Sequence, residues 1–218
     1  MKKVVVLLSG CGVYDGAEIH ESVLTLLALD RAGANWSCAA PDIPQLHVID
    51  HQRGEVAQGE ARNVRTEAAR IARGPVLDVA EVDPNDFDAI ILPGGYGAAK
   101  NLSSFAIDGT HLQVEEGTAN LLRRFRAAGK PMGFLCIAPA IAARLFGEEG
   151  ILFTIGNNPE EAKALVAHGG VHRDCPVDEI IVDDRLNIVC TPAYQLAKRI
   201  GEAERGITRL VEEVLARA

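Results

Sequence analysis

The chain has 218 residues, 48% hydrophobic and 24% charged, and a formal net charge of −8. That length suits one large domain, and the composition is that of an ordinary globular enzyme. The acidic balance argues against non-specific nucleic-acid binding, which needs a basic footprint. The scattered Lys and Arg residues form no polybasic membrane patch, and no apolar run reaches the ~18 residues of a membrane-spanning helix.

Short apolar runs alternate with helical patterns from one end to the other. Met1-Lys-Lys followed by Val4–Leu8 has the charge order of a signal peptide but too short an apolar part, so it reads as a central strand. Ile19, Val23, Leu26, Leu27 and Leu29 recur near helical spacing, which predicts a helix over Ala17–Arg31 with Gly33 as its stop. A strand follows at Trp36–Ala40. Residues 41–75 fit the alternation least well; Pro41, Pro44, His47, His51 and Gly54 suggest a loop or small hairpin inserted before a surface helix at Arg62–Ala72.

The remaining predicted strands are Ala89–Leu92, Met132–Leu135, Ile151–Phe153, Ile180–Val182 and Ile188–Cys190. Between and after them come helices at Gln113–Ala128, Ala138–Phe146, Glu160–His168 and Ala193–Arg217. Strands apolar at consecutive positions are buried on both faces, so the pattern predicts one α/β domain over residues 1–218, a mostly parallel sheet flanked by helices on both sides.

The five cysteines are widely spaced and include no Cys-x-x-Cys pair. Neither a disulfide framework nor a zinc site fits, and a reducing cytoplasm is the expected compartment. Cys136 is the exception in interest: it falls at the corner between a predicted strand and the next predicted helix. A side chain there projects above the sheet near the positive end of a helix dipole, which favours thiolate.

Two further segments leave strands at the edge where ligands bind in open α/β sheets. Leu92-Pro-Gly-Gly-Tyr-Gly97 offers a turn whose amides can face a negative oxygen. It lacks the order of a dinucleotide fingerprint and has no Gly-Lys-Ser/Thr. Ser9–Glu21 opens the first helix, where Glu18 and Glu21 share a face and either can serve as acid or base to a thiol. His20 points elsewhere. The position after the cysteine is Ile137, so the histidine base of a cysteine hydrolase is missing there; His172, before Cys175-Pro-Val-Asp178, is the better placed of the later histidines.

The stretches Ser9–Glu21, Leu92–Ser103, Gly133–Pro139, Cys175–Asp178 and Thr191–Tyr194 resemble the PfpI-like superfamily, with its class I glutamine amidotransferase-like (flavodoxin-like) fold and cysteine nucleophile elbow. Within it the chain looks closest to the ElbB (enhancing lycopene biosynthesis, isoprenoid biosynthesis glyoxalase) family. The resemblance implies a cofactor-free glyoxalase of modest activity, converting 2-oxoaldehydes such as glyoxal to 2-hydroxy acids. It places the nucleophile at Cys136, the buried glutamate at Glu21 and the oxyanion and substrate-binding positions at Gly94, Gly95 and Ile137, with His172 as an assistant. It also implies a homodimer, no metal, no cofactor and an indirect link to isoprenoid production. The competing expectation is a redox sensor in which Cys136 is oxidised and Cys11 resolves it. A glutamine-hydrolysing subunit fits less well, since no histidine pair follows Cys190.

Overall fold

The computed structural model describes residues 1–218. Its centre is a seven-stranded sheet, in which the strands expected from consecutive apolar residues are β1 (Lys3–Leu7), β2 (Asn35–Ala40), β6 (Ala89–Leu92), β7 (Met132–Leu135) and β11 (Ile188–Thr191). Two short strands complete it, β5 (Leu77–Asp78) and β10 (Ile181–Asp183), in the order β10-β11-β7-β6-β1-β2-β5. All neighbours are parallel except β10, which pairs with β11 antiparallel.

Side chains alternate across this sheet into two cores. Val5, Leu7, Ile90, Leu92, Met132 and Phe134 join one, and Val4, Val6, Ala89, Ile91 and Val189 the other. Burial on both faces explains why these strands lack polar alternation. Helices α1 (Ile19–Arg31), α2 (Val64–Ala72) and α8 (Ile200–Arg217) cover one face. The other is covered by α5 (Glu116–Ala127), α6 (Pro139–Phe146) and α7 (Pro159–Val166).

The insertion is a hairpin of β3 (Ile49–Asp50) and β4 (Glu55–Val56). It is tied to the loop after β1, where the Asp15 carboxylate accepts from the Ile49 N–H at 2.7 Å, and to Asn101, which accepts from the Leu46 N–H at 3.0 Å. The strand expected at Ile151–Phe153 forms as β8 (Leu152–Phe153) but pairs in parallel with β9 (Val171–His172) apart from the main sheet, and the short helices α3 (Tyr96–Lys100) and α4 (Phe105–Asp108) complete the chain. The last helix starts seven residues later than its amphipathic pattern suggests. Buried Ala193 has φ +44, which a helix cannot continue through, and a 3-10 turn over Ala193–Gln195 precedes α8.

The chain winds from β1 to β2 on one side and returns to β6, β7 and β11 on the other. The carboxyl ends of β1, β6, β7 and β11 therefore open onto one crevice, the place where such sheets bind ligands.

Candidate active site

Cys136 follows β7 directly and precedes α6 by two residues. Its φ is +58, a left-handed conformation unusual for a side chain with a Cβ. Its N–H donates to the Thr191 carbonyl at 3.0 Å, which extends the β7–β11 ladder by one rung and fixes the turn. Ala193, the other strained residue here, lies just past the end of the neighbouring strand. Two left-handed non-glycine residues at adjacent strand ends store about 1–2 kcal/mol each, and they lie where the chain must turn sharply.

Glu21 lies in the first turn of α1 and is fully buried. One carboxyl oxygen accepts from the Gly94 N–H at 2.8 Å and the other from the Tyr194 N–H at 3.1 Å. The same carboxyl faces Cys136 across Gly94, and the thiol acts on it in the lowering direction. Burial pushes its pKa up to about 7, against the lowering pull of the two N–H groups and the thiol. Glu18 caps α1, accepting from the Glu21 N–H at 2.7 Å, and its charge adds to the rise.

The thiol departs from the expectation of a resting thiolate. Burial raises the Cys136 pKa well above its ordinary value, and the neighbouring Glu21 charge raises it further. The backbone N–H groups of Gly95 and Ile137 act on the sulfur in the lowering direction. The helix dipole is thus outweighed: the sulfur rests protonated, sharing one proton-accepting system with Glu21. Cys136 remains 9% exposed and opens onto a cavity of about 360 Å³. Val13, Glu18, Gly95, Tyr96, Ala99, Phe105, Ala106, Ile137, Glu161, Tyr194 and Gln195 form the rest of its lining.

The two glycines have different tasks. A Cβ on Gly94 would lie 2.5 Å from the Cys136 Cβ and 2.9 Å from the Glu21 carboxyl, so only glycine fits between them. Its N–H is engaged by Glu21, which corrects its expected place in an oxyanion site. Gly95 has φ +91 and packs against Gly16 and Glu18 with no room for a side chain. Gly95 and Ile137 therefore supply the amide pair beside the sulfur.

His172 is not brought to the cavity. Its Nε2 accepts from the Ile155 N–H at 3.3 Å, its ring packs edge-on to Phe153, and Nδ1 lies 3.8 Å from Asp174. The expected assistant is thus occupied in holding the β8–β9 segment. Cys11 does not line the cavity either, and burial raises its pKa. Tyr194, which no feature of the sequence marks as part of the site, joins it here: its N–H orients Glu21, it lines the cavity, and its hydroxyl is 2.8 Å from Nδ1 of His20. Glu161 was indistinguishable from an ordinary acidic residue at a helix start.

A buried cysteine on a strand-to-helix turn, beside a glutamate from the first helix, stands here on a doubly wound parallel sheet of the class I glutamine amidotransferase-like fold. No family model matches the chain. It is 45% identical to the human glutamine amidotransferase-like class 1 domain-containing protein 3, over 98% of this chain and 82% of that protein. It is 43% identical to the rat ES1 protein homolog, over 98% and 83%. Among solved structures, an isoprenoid biosynthesis protein with an amidotransferase-like domain from Ehrlichia chaffeensis superposes with a TM-score of 0.90 at 36% identity, covering 99% of this chain and 100% of that one. The chain belongs to this glutamine amidotransferase-like class 1 (ES1) family. The expected cytoplasmic location is overturned by the same relatives, since the human, rat and zebrafish proteins are named as mitochondrial. Absence of disulfide patterning separates reducing from oxidising compartments and carries no address within the reducing ones.

Proposed function

We propose that this protein is a cofactor-independent glyoxalase of the ElbB type, converting glyoxal, methylglyoxal and similar 2-oxoaldehydes to 2-hydroxy acids. The observation that carries the reading is the juxtaposition of Cys136 and fully buried Glu21 around Gly94, with a Glu21 pKa near 7 that suits it both to take and to return a proton at neutral pH.

The sulfur adds to the aldehyde carbon while its proton passes to Glu21, and the new oxyanion rests on the Gly95 and Ile137 amides. Glu21 then delivers that proton to the oxygen, giving a neutral hemithioacetal and a free carboxylate. The carboxylate removes the hydrogen from the former aldehyde carbon, and the resulting enediol is protonated at the adjacent carbon. The product of this isomerisation is a 2-hydroxy thioester, and water releases it as the hydroxy acid with Cys136 restored. Water and the 2-oxoaldehyde are the only reactants consumed.

Replacing Cys136 by Ala should abolish turnover, and Glu21→Gln should lower kcat by roughly 10²–10⁴-fold. Full methylglyoxal turnover by Cys136→Ala would remove this mechanism. The redox-sensor alternative calls for an accessible, low-pKa thiol, whereas burial and Glu21 both push this one up. The isoprenoid name of the Ehrlichia protein is carried here only as an indirect link, through removal of reactive carbonyl compounds.

A further inference from the structure

No lysine, arginine or histidine lines the cavity at Cys136, whereas two carboxylates do besides the adjacent Glu21. Glu18 is fixed as the α1 cap. Glu161 stands in the first turn of α7, with the Gln195 side-chain amide donating to it at 3.4 Å. Burial raises the Glu161 pKa and the Gln195 bond opposes that rise, so the contact favours the charged form. The Lys100 ammonium lies 5.2 Å from the centre of the Tyr96 ring, but it donates to the Tyr14 carbonyl and is not part of the wall. A negative ligand at the sulfur therefore meets repulsion with no compensating cation. A neutral carbonyl compound meets apolar walls and two backbone amides.

We propose that Glu161, seated by Gln195, is a specificity-determining residue that makes this cavity admit small neutral carbonyl compounds and reject anionic ones. Together with Glu18 it also drives out a carboxylate product. The inference rests on the glyoxalase reading, because that reaction turns a neutral 2-oxoaldehyde into a hydroxy-acid anion within one cavity. Mutual repulsion then gives the product a reason to leave that the substrate lacks.

The test uses two thiol reagents of similar size and different charge. Alkylation of Cys136 by neutral iodoacetamide and anionic iodoacetate is followed at pH 8 by mass spectrometry of the peptide carrying it, with N-acetylcysteine amide as the reference thiol. The wild-type protein is expected to disfavour iodoacetate about tenfold more than the reference does. Glu161→Gln should recover about fivefold of that, as one screened carboxylate within reach of the sulfur implies. Glu160→Gln, one position away on α7 and outside the cavity wall, should leave the ratio unchanged. In a parallel assay, glycolate should inhibit Glu161→Gln at about fivefold lower concentration than wild type.

An unchanged reagent ratio in Glu161→Gln overturns the proposal, and so does an equal shift in Glu160→Gln. If the ratios behave as expected but no 2-oxoaldehyde is turned over, the charge filter stands and the glyoxalase reading fails. If turnover is present with unchanged ratios, the reverse holds. A Cys136 that neither reagent reaches would overturn both.

Discussion

Glu21→Gln should flatten the pH dependence of stability, and the direction follows from the raised pKa. A carboxyl that holds its proton more tightly when folded contributes stability that is fully present below its unfolded pKa. That contribution is lost as pH rises through the folded value. For Glu21 the window runs from its ordinary 4.5 to about 7. At 1.36 kcal/mol per unit, the wild-type protein should lose about 3 kcal/mol from this group between pH 4.5 and pH 8. Glutamine mimics the protonated form and does not titrate. Its amide nitrogen must face the N–H of Gly94 or Tyr194, which lowers stability by about 1–3 kcal/mol at every pH. That offset shifts the mutant curve without tilting it.

The assay is urea denaturation across pH 4.5–8, read by the fluorescence of Trp36, the single tryptophan. Subtracting the two stability curves cancels the titration of every other carboxylate and histidine. The difference should shrink by about 3 kcal/mol from low to high pH, bringing the mutant level with the wild type or above it at pH 8. Parallel curves would show that Glu21 is ionised throughout, and the proton relay built on its pKa would fall with that result.

Gly94→Ala should destabilise the fold by about 1–3 kcal/mol and sharply slow Cys136 alkylation, because the added methyl group intrudes between the sulfur-bearing residue and Glu21; thermal melts and peptide mass spectrometry report both. His172→Ala should keep turnover within about twofold while lowering stability by about 1–3 kcal/mol, since it leaves the Ile155 N–H without an acceptor; a large loss of kcat at unchanged fold would return His172 to the catalytic machinery. The expected homodimer is carried forward as a proposal on the exposed apolar stripe Ile19, Val23 and Leu27 along α1, which a second copy would cover isologously. Sedimentation velocity should then show Val23→Glu shifted toward monomer, and a wild-type protein that sediments as a monomer at micromolar concentration removes that assignment.

What the sequence disclosed follows from how many residues share in each signal. The central strands were readable because burial on both faces leaves an uninterrupted apolar run, as at Val4–Leu7, Ala89–Leu92 and Met132–Leu135. The two-residue strands β5 and β9 have no room for a period, and α3 and α4 are about one turn each. At the site, a strand end and a helix start picked out Cys136 and the Glu18–Glu21 pair, and only the family resemblance chose Glu21 between the two. Gly94 was located correctly but given the wrong partner, since nothing local says whether an amide faces a ligand or a side chain 73 positions away. His172 was mistaken for a contributor because nearness in sequence to Cys175 carries no information on direction. Tyr194 escaped for a similar reason: its bond to Glu21 spans 173 positions and runs through its backbone, which no residue type advertises.

The protonation state of the sulfur is the deepest disagreement between motif and structure, and magnitudes resolve it. A helix N-terminus stabilises an anion by about 0.3–1 kcal/mol, reaching about 2 in partly buried geometry, or less than about 1.5 pKa units. Full burial moves an ionisable group by as much as 3–5 units. At Cys136 the sulfur also faces a carboxyl already deprived of water, whose charge raises its pKa further. Two adjacent anions would each raise the cost of the other, so the pair carries one negative charge between pH 7 and the thiol's own titration. The sulfur acquires that charge only as its proton moves onto Glu21, whose pKa of about 7 lets it accept one without being a strong base. Reactivity here is therefore a property of the pair, made at the moment of attack, and a thiolate count in the resting protein would underestimate it.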